Sequence, residues 1–295
     1  MRIMKIFVTG ASGGLGQHLF RYLANQKNCE IKVLVRISQG CFPGGAIVNG
    51  DLLDRNTLVE ATKSAELVVH LAALNHSNSS EDYFRVNVDG TRNLLDACAI
   101  NGVQRFIYVS LHAAHPDGGS YSESKLKAEE LVKNSGLPWV ILRPTEVFGQ
   151  NSTGTVNKLI KWIQSSPVVP SIGNGRFIVC PVYIDDVISA VGQCIFDSEM
   201  VGKTLFLSGP EEMTYVELVD RICHFAHVKR LKIFIPFFLL RALVEVLDLL
   251  GWKFVVRDQI PRLLCKTYPS FDPLVKLQNY HPRTLEQGLG LYLKR

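Results

Sequence analysis

The pair with the clearest chemical use is a tyrosine and a lysine four residues apart, Tyr121 and Lys125, in Tyr121-Ser122-Glu123-Ser124-Lys125. The segment reads as a helix from about Tyr121 to Lys133, and its i, i+4 spacing puts phenol and ammonium on one face. A phenol that titrates near pH 10 is a poor base at neutral pH, and a cation held nearby favours the phenolate. Bringing it down by about three pH units takes roughly 4 kcal/mol of differential stabilisation. So tuned, it can take or give a hydroxyl proton. The spacing alone describes many exposed helix faces, so the pair acquires meaning from what stands upstream.

Upstream, Thr9-Gly10-Ala11-Ser12-Gly13-Gly14-Leu15-Gly16 follows the first apolar run and opens the first helical pattern. In such a turn Gly10, Gly13 and Gly16 allow a sharp bend, close approach of backbone to a pyrophosphate, and tight packing of helix on strand. The N–H groups of Ser12, Gly13, Gly14 and Leu15, with the positive end of the helix, then face the phosphates. The same letters satisfy G-x-S-x-G with Ser12 as a hydrolase nucleophile, but that elbow normally follows several strands. A dinucleotide reading also gives the Tyr121/Lys125 pair its partner, a nicotinamide ring exchanging hydride. About twenty residues past Gly16, where a carboxylate would hold the ribose of NAD, stands Val35-Arg36-Ile37-Ser38. The guanidinium of Arg36 suits a 2′-phosphate, so NADP is favoured over NAD, with a solvated strand-end arginine as the plain alternative. Gly50-Asp51-Leu52 would bring Asp51 and Leu52 to the adenine.

These residues need a scaffold, and the first 145 supply its rhythm. Apolar runs at Ile3–Val8, Ile31–Val35, Ala46–Val48, Leu67–Leu71, Phe106–Val109 and Trp139–Leu142 alternate with helical patterns, among them Phe84–Ile100. The runs lack polar alternation, as in strands buried on both faces. Repeated β-α units of this length predict an α/β fold, a doubly wound parallel sheet of Rossmann type. After Pro144 the rhythm breaks into a Pro/Gly-rich stretch, Ser166–Gly175, then a strand-like run Phe177–Ile184, a helix Ile188–Phe196 and a strand Leu205–Leu207. The expected organisation is an NAD(P)-binding domain over 1–170, rejoined by about 182–208. A smaller, mostly helical substrate domain takes about 171–181 and 209–295. Phe237–Leu250 reads as a core-packed amphipathic helix, with peripheral membrane contact as the alternative.

Taken together these segments resemble the short-chain dehydrogenase/reductase superfamily, in its extended form, the epimerase/dehydratase group. Val69-His70-Leu71-Ala72-Ala73 is similar to the segment passing along the cofactor, and Asn87-Val88-Asp89-Gly90-Thr91 to the N-V-x-G-T helix start. Leu142-Arg143-Pro144 resembles the strand end that meets the carboxamide. Val182–Val187 resembles the segment by which the chain re-enters the sheet, and Pro282–Leu289 the closing helix. The resemblance implies a cofactor lined by Leu71, Ala72, Ala73, Asn87, Ser110 and Pro144, with Tyr121 as base and Lys125 as its tuner and ribose anchor. It also implies a homodimer and a small-molecule substrate of the nucleotide-sugar kind. One position departs from it. Strand five of the family ends Ser-Ser or Ser-Thr, whereas here it ends Val109-Ser110-Leu111-His112, so Leu111 falls where the catalytic hydroxyl belongs. Period-2 alternation would turn Ser110 to the other face. His112 is then the candidate replacement donor, although a loop histidine is more often merely solvated. The segment from Leu111 to Tyr121 is also short, which opens a second reading: a non-catalytic NADP(H)-binding module.

Composition narrows the rest. In 295 residues, 47% are apolar and 20% charged, and 32 Lys plus Arg against 27 Asp plus Glu leave +5 spread along the chain. That is an ordinary globular balance with no basic arm, so no nucleic-acid partner is expected. Seven cysteines without a C-x-x-C pair read as reduced thiols, neither a disulfide frame nor a metal site. With no apolar leader before Thr9-Gly10, the expected location is cytoplasmic, and the N-x-S/T sequons at Asn75, Asn78 and Asn151 read as chance.

Overall fold

The computed structural model describes residues 2–36, 42–236, 238–239, 277 and 280–293. Along the chain come β1 (Met4–Thr9), α1 (Gly14–Ala24), β2 (Cys29–Val35), β3 (Ala46–Asn49), α2 (Arg55–Thr62), β4 (Leu67–His70) and α3 (Ser80–Tyr83). A π-helical stretch, Phe84–Asp89, joins α3 to α4 (Gly90–Ile100), followed by β5 (Arg105–Val109), α5 (Gly119–Lys133), β6 (Trp139–Pro144) and β7 (Val147–Phe148). Then follow α6 (Thr155–Ser165), β8 (Val168–Ile172), β9 (Ile178–Val179), β10 (Val182–Tyr183) and α7 (Ile184–Phe196). Last come β11 (Lys203–Leu207), β12 (Met213–Thr214), α8 (Tyr215–Phe225), β13 (Leu231–Ile235) and a closing helix, Leu285–Leu293.

Seven parallel strands form one sheet in the order β11-β6-β5-β4-β1-β2-β3. Side-chain alternation shows why these runs are apolar throughout. Ile6, Val8, Val33, Val69, Ile107 and Leu142 pack on one face with Leu19 and Leu23 of α1 and Val187 and Val191 of α7. Phe7, Leu34, Val68, Phe106, Tyr108 and Ile141 pack on the other with Leu58 of α2, Leu94 of α4 and Val132 of α5. Both faces are covered, so polar alternation has no place. The strand order reverses between β1 and β4, and a doubly wound sheet opens its ligand crevice beyond the strand ends at such a point.

The chain returns to the sheet through β11, which pairs in parallel with β6. The sequence reading differs from the structure in the region between. Val168–Ile172, inside the Pro/Gly-rich stretch, is strand β8 and pairs with β13. The run Phe177–Ile184 is two short strands, β9 and β10, in different sheets. Pro181 separates them, and proline cannot donate to a ladder. A third core joins these pieces, with Phe148, Ile160, Ile184, Leu218, Ile222 and Leu289 buried together. Of Phe237–Leu250, all but Phe238 and Leu239 lie outside the described residues. Among the described residues no helix is long and apolar enough to cross a membrane.

Candidate active site

A cleft of about 300 Å³ opens at the β1/β4 reversal. Its floor is the glycine turn. Gly10 has φ +75°, and a Cβ there would lie 2.5 Å from the Ala72 nitrogen. A Cβ on Gly16 would lie 2.1 Å from the Gly10 carbonyl oxygen, and one on Gly14 2.5 Å from that of Asn151. The turn is therefore closed to side chains from both the sheet and the opposite rim. Gly13 caps α1 without any side-chain hydrogen bond, and the first turn of α1 carries no acidic residue. Its opening N–H groups lack an intrahelical acceptor and keep their positive end for an anion. This cradle fits the pyrophosphate of a dinucleotide.

A buried relay holds the floor in register. Thr91 Oγ1 donates to the Asn87 carbonyl at 2.6 Å, so it accepts from His70 Nε2 at 2.9 Å. His70 Nδ1 must then accept from Thr9 Oγ1 at 2.6 Å, and Thr9 Oγ1 accepts from the Ala72 N–H at 3.4 Å. Burial, and secondarily the charge of Lys125, push the His70 imidazole down to about 3, so it stays neutral. The histidine of Val69-His70-Leu71 thus ties β1, β4 and α4 together from behind the cleft.

Tyr121 and Lys125 both reach the cleft from α5. Tyr121 is 9% exposed, its ring lies 5.7 Å from that of Tyr83, and its hydroxyl donates to Asn75 Oδ1 at 3.1 Å. Lys125 is 2% exposed, and its Nζ donates to the Val109 carbonyl at 2.9 Å while standing 4.1 Å from the centre of the Tyr108 ring. Burial drives the ammonium down to about 7, against the opposing pull of Glu129. Helix α5 is fastened to the sheet by that same Glu129, which takes a fork of two bonds from Arg143 of β6, at 2.8 and 2.6 Å.

The end of β5 departs from the sequence reading in two ways. Ser110 and Leu111 both line the cleft, but the Ser110 hydroxyl oxygen is sealed from solvent and makes no hydrogen bond to any of the described residues. Ser110 therefore presents no donor to the cleft. His112 is not the solvated loop histidine that was the commoner expectation. Its side chain is 12% exposed, Nδ1 lies 3.3 Å from the Pro144 carbonyl, and Nε2 lies 3.5 Å from Glu146 Oε1. Glu146 in turn accepts from the Cys180 N–H at 3.2 Å through its other oxygen. Glu146 and Asn75 were not singled out in the sequence, and only contact across loops reveals them. The segment Leu111–Tyr121 is tight as expected. It buries Ala113 and Ala114, turns once at Pro116–Gly118, and enters α5 through Gly119 at φ +86°.

Of the expected cofactor residues, Gly10, Gly13, Gly14, Leu15, Gly16, Leu71, Ala73 and Pro144 line the cleft beside Tyr121 and Lys125. Ser12 and Arg36 are exposed, and Ser38 lies outside the described residues. Asp51 turns its carboxylate back to the Leu53 N–H at 2.9 Å. Leu52 is 6% exposed and packs in the core with Leu58 and Leu94. Ala72 packs beneath Gly10. Asn87 is buried behind the wall, holding the Leu74 N–H at 2.7 Å and the Ser124 hydroxyl at 3.0 Å, a brace rather than a lining residue.

A model of the NAD dependent epimerase/dehydratase family matches residues 6–197, more than half of the chain. The chain belongs to that family. It is 29% identical over 72% of its length to an uncharacterized protein of Mycobacterium tuberculosis, of which it spans 22%. Against a ceramide reductase of Caulobacter vibrioides it is 34% identical over 61% of its length, covering 57% of that enzyme. The chain thus spans from about a fifth to little more than half of these two curated relatives. Among solved structures, MoeE5 in complex with UDP-glucuronic acid and NAD shares the fold at TM-score 0.70. It is 24% identical, with 79% of this chain and 85% of that one covered.

Proposed function

We propose that this member of the family is an NAD(P)-dependent oxidoreductase or epimerase acting at a carbinol or ketone carbon of a small molecule. The observation that carries the reading is one cleft lined at its floor by a turn whose Gly10, Gly14 and Gly16 leave no room for a side chain, and at its wall by Tyr121 and Lys125. The bound dinucleotide supplies hydride exchange at its nicotinamide ring. Gly10, Gly13, Gly14, Leu15 and Gly16 would hold its pyrophosphate, and Arg36 a 2′-phosphate, which favours NADP. Tyr121 gives or takes the hydroxyl proton at its Oη. Lys125, fixed by Val109, keeps two N–H groups for the cofactor ribose and for stabilising the phenolate. His112, steadied by Glu146, supplies polarity beside Leu111.

For the substrate, the nucleotide-sugar of MoeE5 supports the sugar-nucleotide class, and the ceramide reductase supports a ketone on another carrier. Residues about 171–181 and 209–295 would form the substrate-binding part, and a homodimer is the proposed assembly. A purely cofactor-binding module is the weaker reading, because holding the cofactor needs the Lys125 ammonium but gives no use to an inward phenol on the same cleft wall. The test is turnover on nucleotide-sugars and ketones, read by NAD(P)H change and by product analysis, since an epimerase shows no net cofactor change. Tyr121→Phe should lose activity while keeping NADH binding, and Lys125→Met should lose activity and weaken NADH as well. Full activity in Tyr121→Phe would overturn the proposal.

A further inference from the structure

Leu111 leaves the reacting oxygen one hydrogen-bond donor short, and the cleft wall offers one from another loop. We propose that Asn75 is a catalytic residue whose carboxamide N–H stabilises the oxygen with which Tyr121 exchanges its proton. This rests on the reading of Tyr121 as proton donor and acceptor, and it names the group that completes that site.

The geometry begins behind the loop. Asn87 grips both backbone groups of Leu74, accepting from its N–H at 2.7 Å and donating to its carbonyl at 3.2 Å. Asn87 also donates to Ser124 Oγ at 3.0 Å, and Ser124 Oγ donates to the Tyr121 carbonyl at 2.7 Å. The residue before Asn75 and the residue bearing the phenol are therefore pinned to each other through a buried brace, independently of any contact between their own side chains. Preorganisation of this kind is what an oxyanion donor requires. On that frame the Asn75 carboxamide meets the phenol, with Tyr121 Oη 3.1 Å from Asn75 Oδ1. Asn75 is exposed on the rim and lines the cleft, so a substrate can reach it.

A carboxamide carries an acceptor and two N–H donors on one planar group, and a half-turn exchanges them. Here the oxygen accepts from the phenol O–H. Once a substrate oxygen takes the phenol proton, the rotated amide donates to the phenolate and the substrate oxygen together. In the reducing direction, the carbonyl carbon gains hydride from a reduced nicotinamide dinucleotide and its oxygen takes the proton from Tyr121 Oη, leaving phenolate and a new hydroxyl. Asn75 transfers nothing; its N–H groups lower the energy of the negative charge that builds on the substrate oxygen as hydride arrives and of the phenolate left once the proton has moved. The other nearby candidates fall short. Leu111 has no donor, Ser110 Oγ is sealed, and the His112 ring already faces Pro144 and Glu146.

The test reads the phenol itself and needs no known substrate. The full chain, labelled with 13Cζ-tyrosine and saturated with NAD+, is titrated by NMR, the Tyr121 signal being the one missing from Tyr121→Phe. Titratable groups facing it are Lys125 on its own helix, Tyr83 of α3, Tyr108 of β5, and His76, His112 and Glu146 on the cleft wall. In Asn75→Ala the midpoint should rise by about one pH unit, because a donor to the phenolate is lost, while NADH affinity and Tm stay unchanged. An unchanged or lowered midpoint overturns the inference, a lowered one showing that Asn75 only accepts. Absence of any titration in the unsubstituted protein overturns it as well. Retained turnover in Tyr121→Phe would instead break the underlying reading, so the two failures are distinguishable.

Discussion

Lys125→Met should make the protein more stable and abolish its turnover. The lysine lies buried on α5, and burial lowers its ammonium from the usual 10.5 to about 7. A gap of that size corresponds to about 5 kcal/mol of disfavoured charge. The bond to the Val109 carbonyl recovers about 1.5–3 kcal/mol, and the Tyr108 ring about 1 kcal/mol. Methionine, similar in length and free of charge, should therefore gain about 1–2 kcal/mol at pH 6, or about 2–4 °C in Tm per kcal/mol. The sign depends on pH. Below 7 the native and unfolded chains are both protonated at this site, and the native state bears the whole burden. Between 7 and 10.5 only the unfolded chain holds the proton, so wild-type stability rises with pH and the advantage of methionine shrinks. Calorimetric scans of both proteins at pH 6, 8 and 10 read this directly. A Lys125→Met protein less stable at pH 6, or an advantage that does not shrink towards pH 10, would refute the argument.

Three further outcomes are expected. His70→Leu orphans the Thr9 and Thr91 hydroxyls and should cost about 2–4 kcal/mol by chemical unfolding. Because His70 stays neutral down to about 3 while the unfolded chain takes up a proton near 6.5, wild-type stability should fall across that window, and the variant should lack that slope. Gly16→Val drives a side chain into the Gly10 carbonyl and should abolish NADH binding in fluorescence titration, with about 1–3 kcal/mol of lost stability. Arg36→Ala should weaken NADPH at least about tenfold and leave NADH unchanged, as one charged phosphate contact is worth.

Much of the scaffold was legible because its signals are local. Glycines at 10, 13 and 16 after a buried strand admit few alternatives, and strands covered on both faces need continuous Val, Ile, Leu and Phe. Helix α5 and its Tyr121/Lys125 face followed from i, i+4 spacing read together with the glycine turn upstream. The polar dressing of the cleft was not legible, because it is made by residues distant in sequence. Glu146 meets His112 only after β6 has been laid beside β5. Asn75 meets Tyr121 directly, but only once the loop after β4 lies beside α5, and in the sequence it is one letter of a chance N-x-S sequon. The strand β8 was hidden because Pro170 and the flanking glycines mark a loop, and a small edge sheet tolerates them. Asn87 shows the converse. A motif letter can be matched in the chain while its side chain serves the frame behind the site.

The central claim is that a pyridine dinucleotide lies across the glycine turn with its nicotinamide beside Tyr121. A crystal structure of the full chain grown with NADH or NADPH tests it in one measurement. The account predicts pyrophosphate density over Gly13 and Gly14 at the start of α1, with the nicotinamide ring in contact with Tyr121 and a ribose hydroxyl on Lys125. Density elsewhere, or a ring turned away from Tyr121 at full cofactor occupancy, would contradict it.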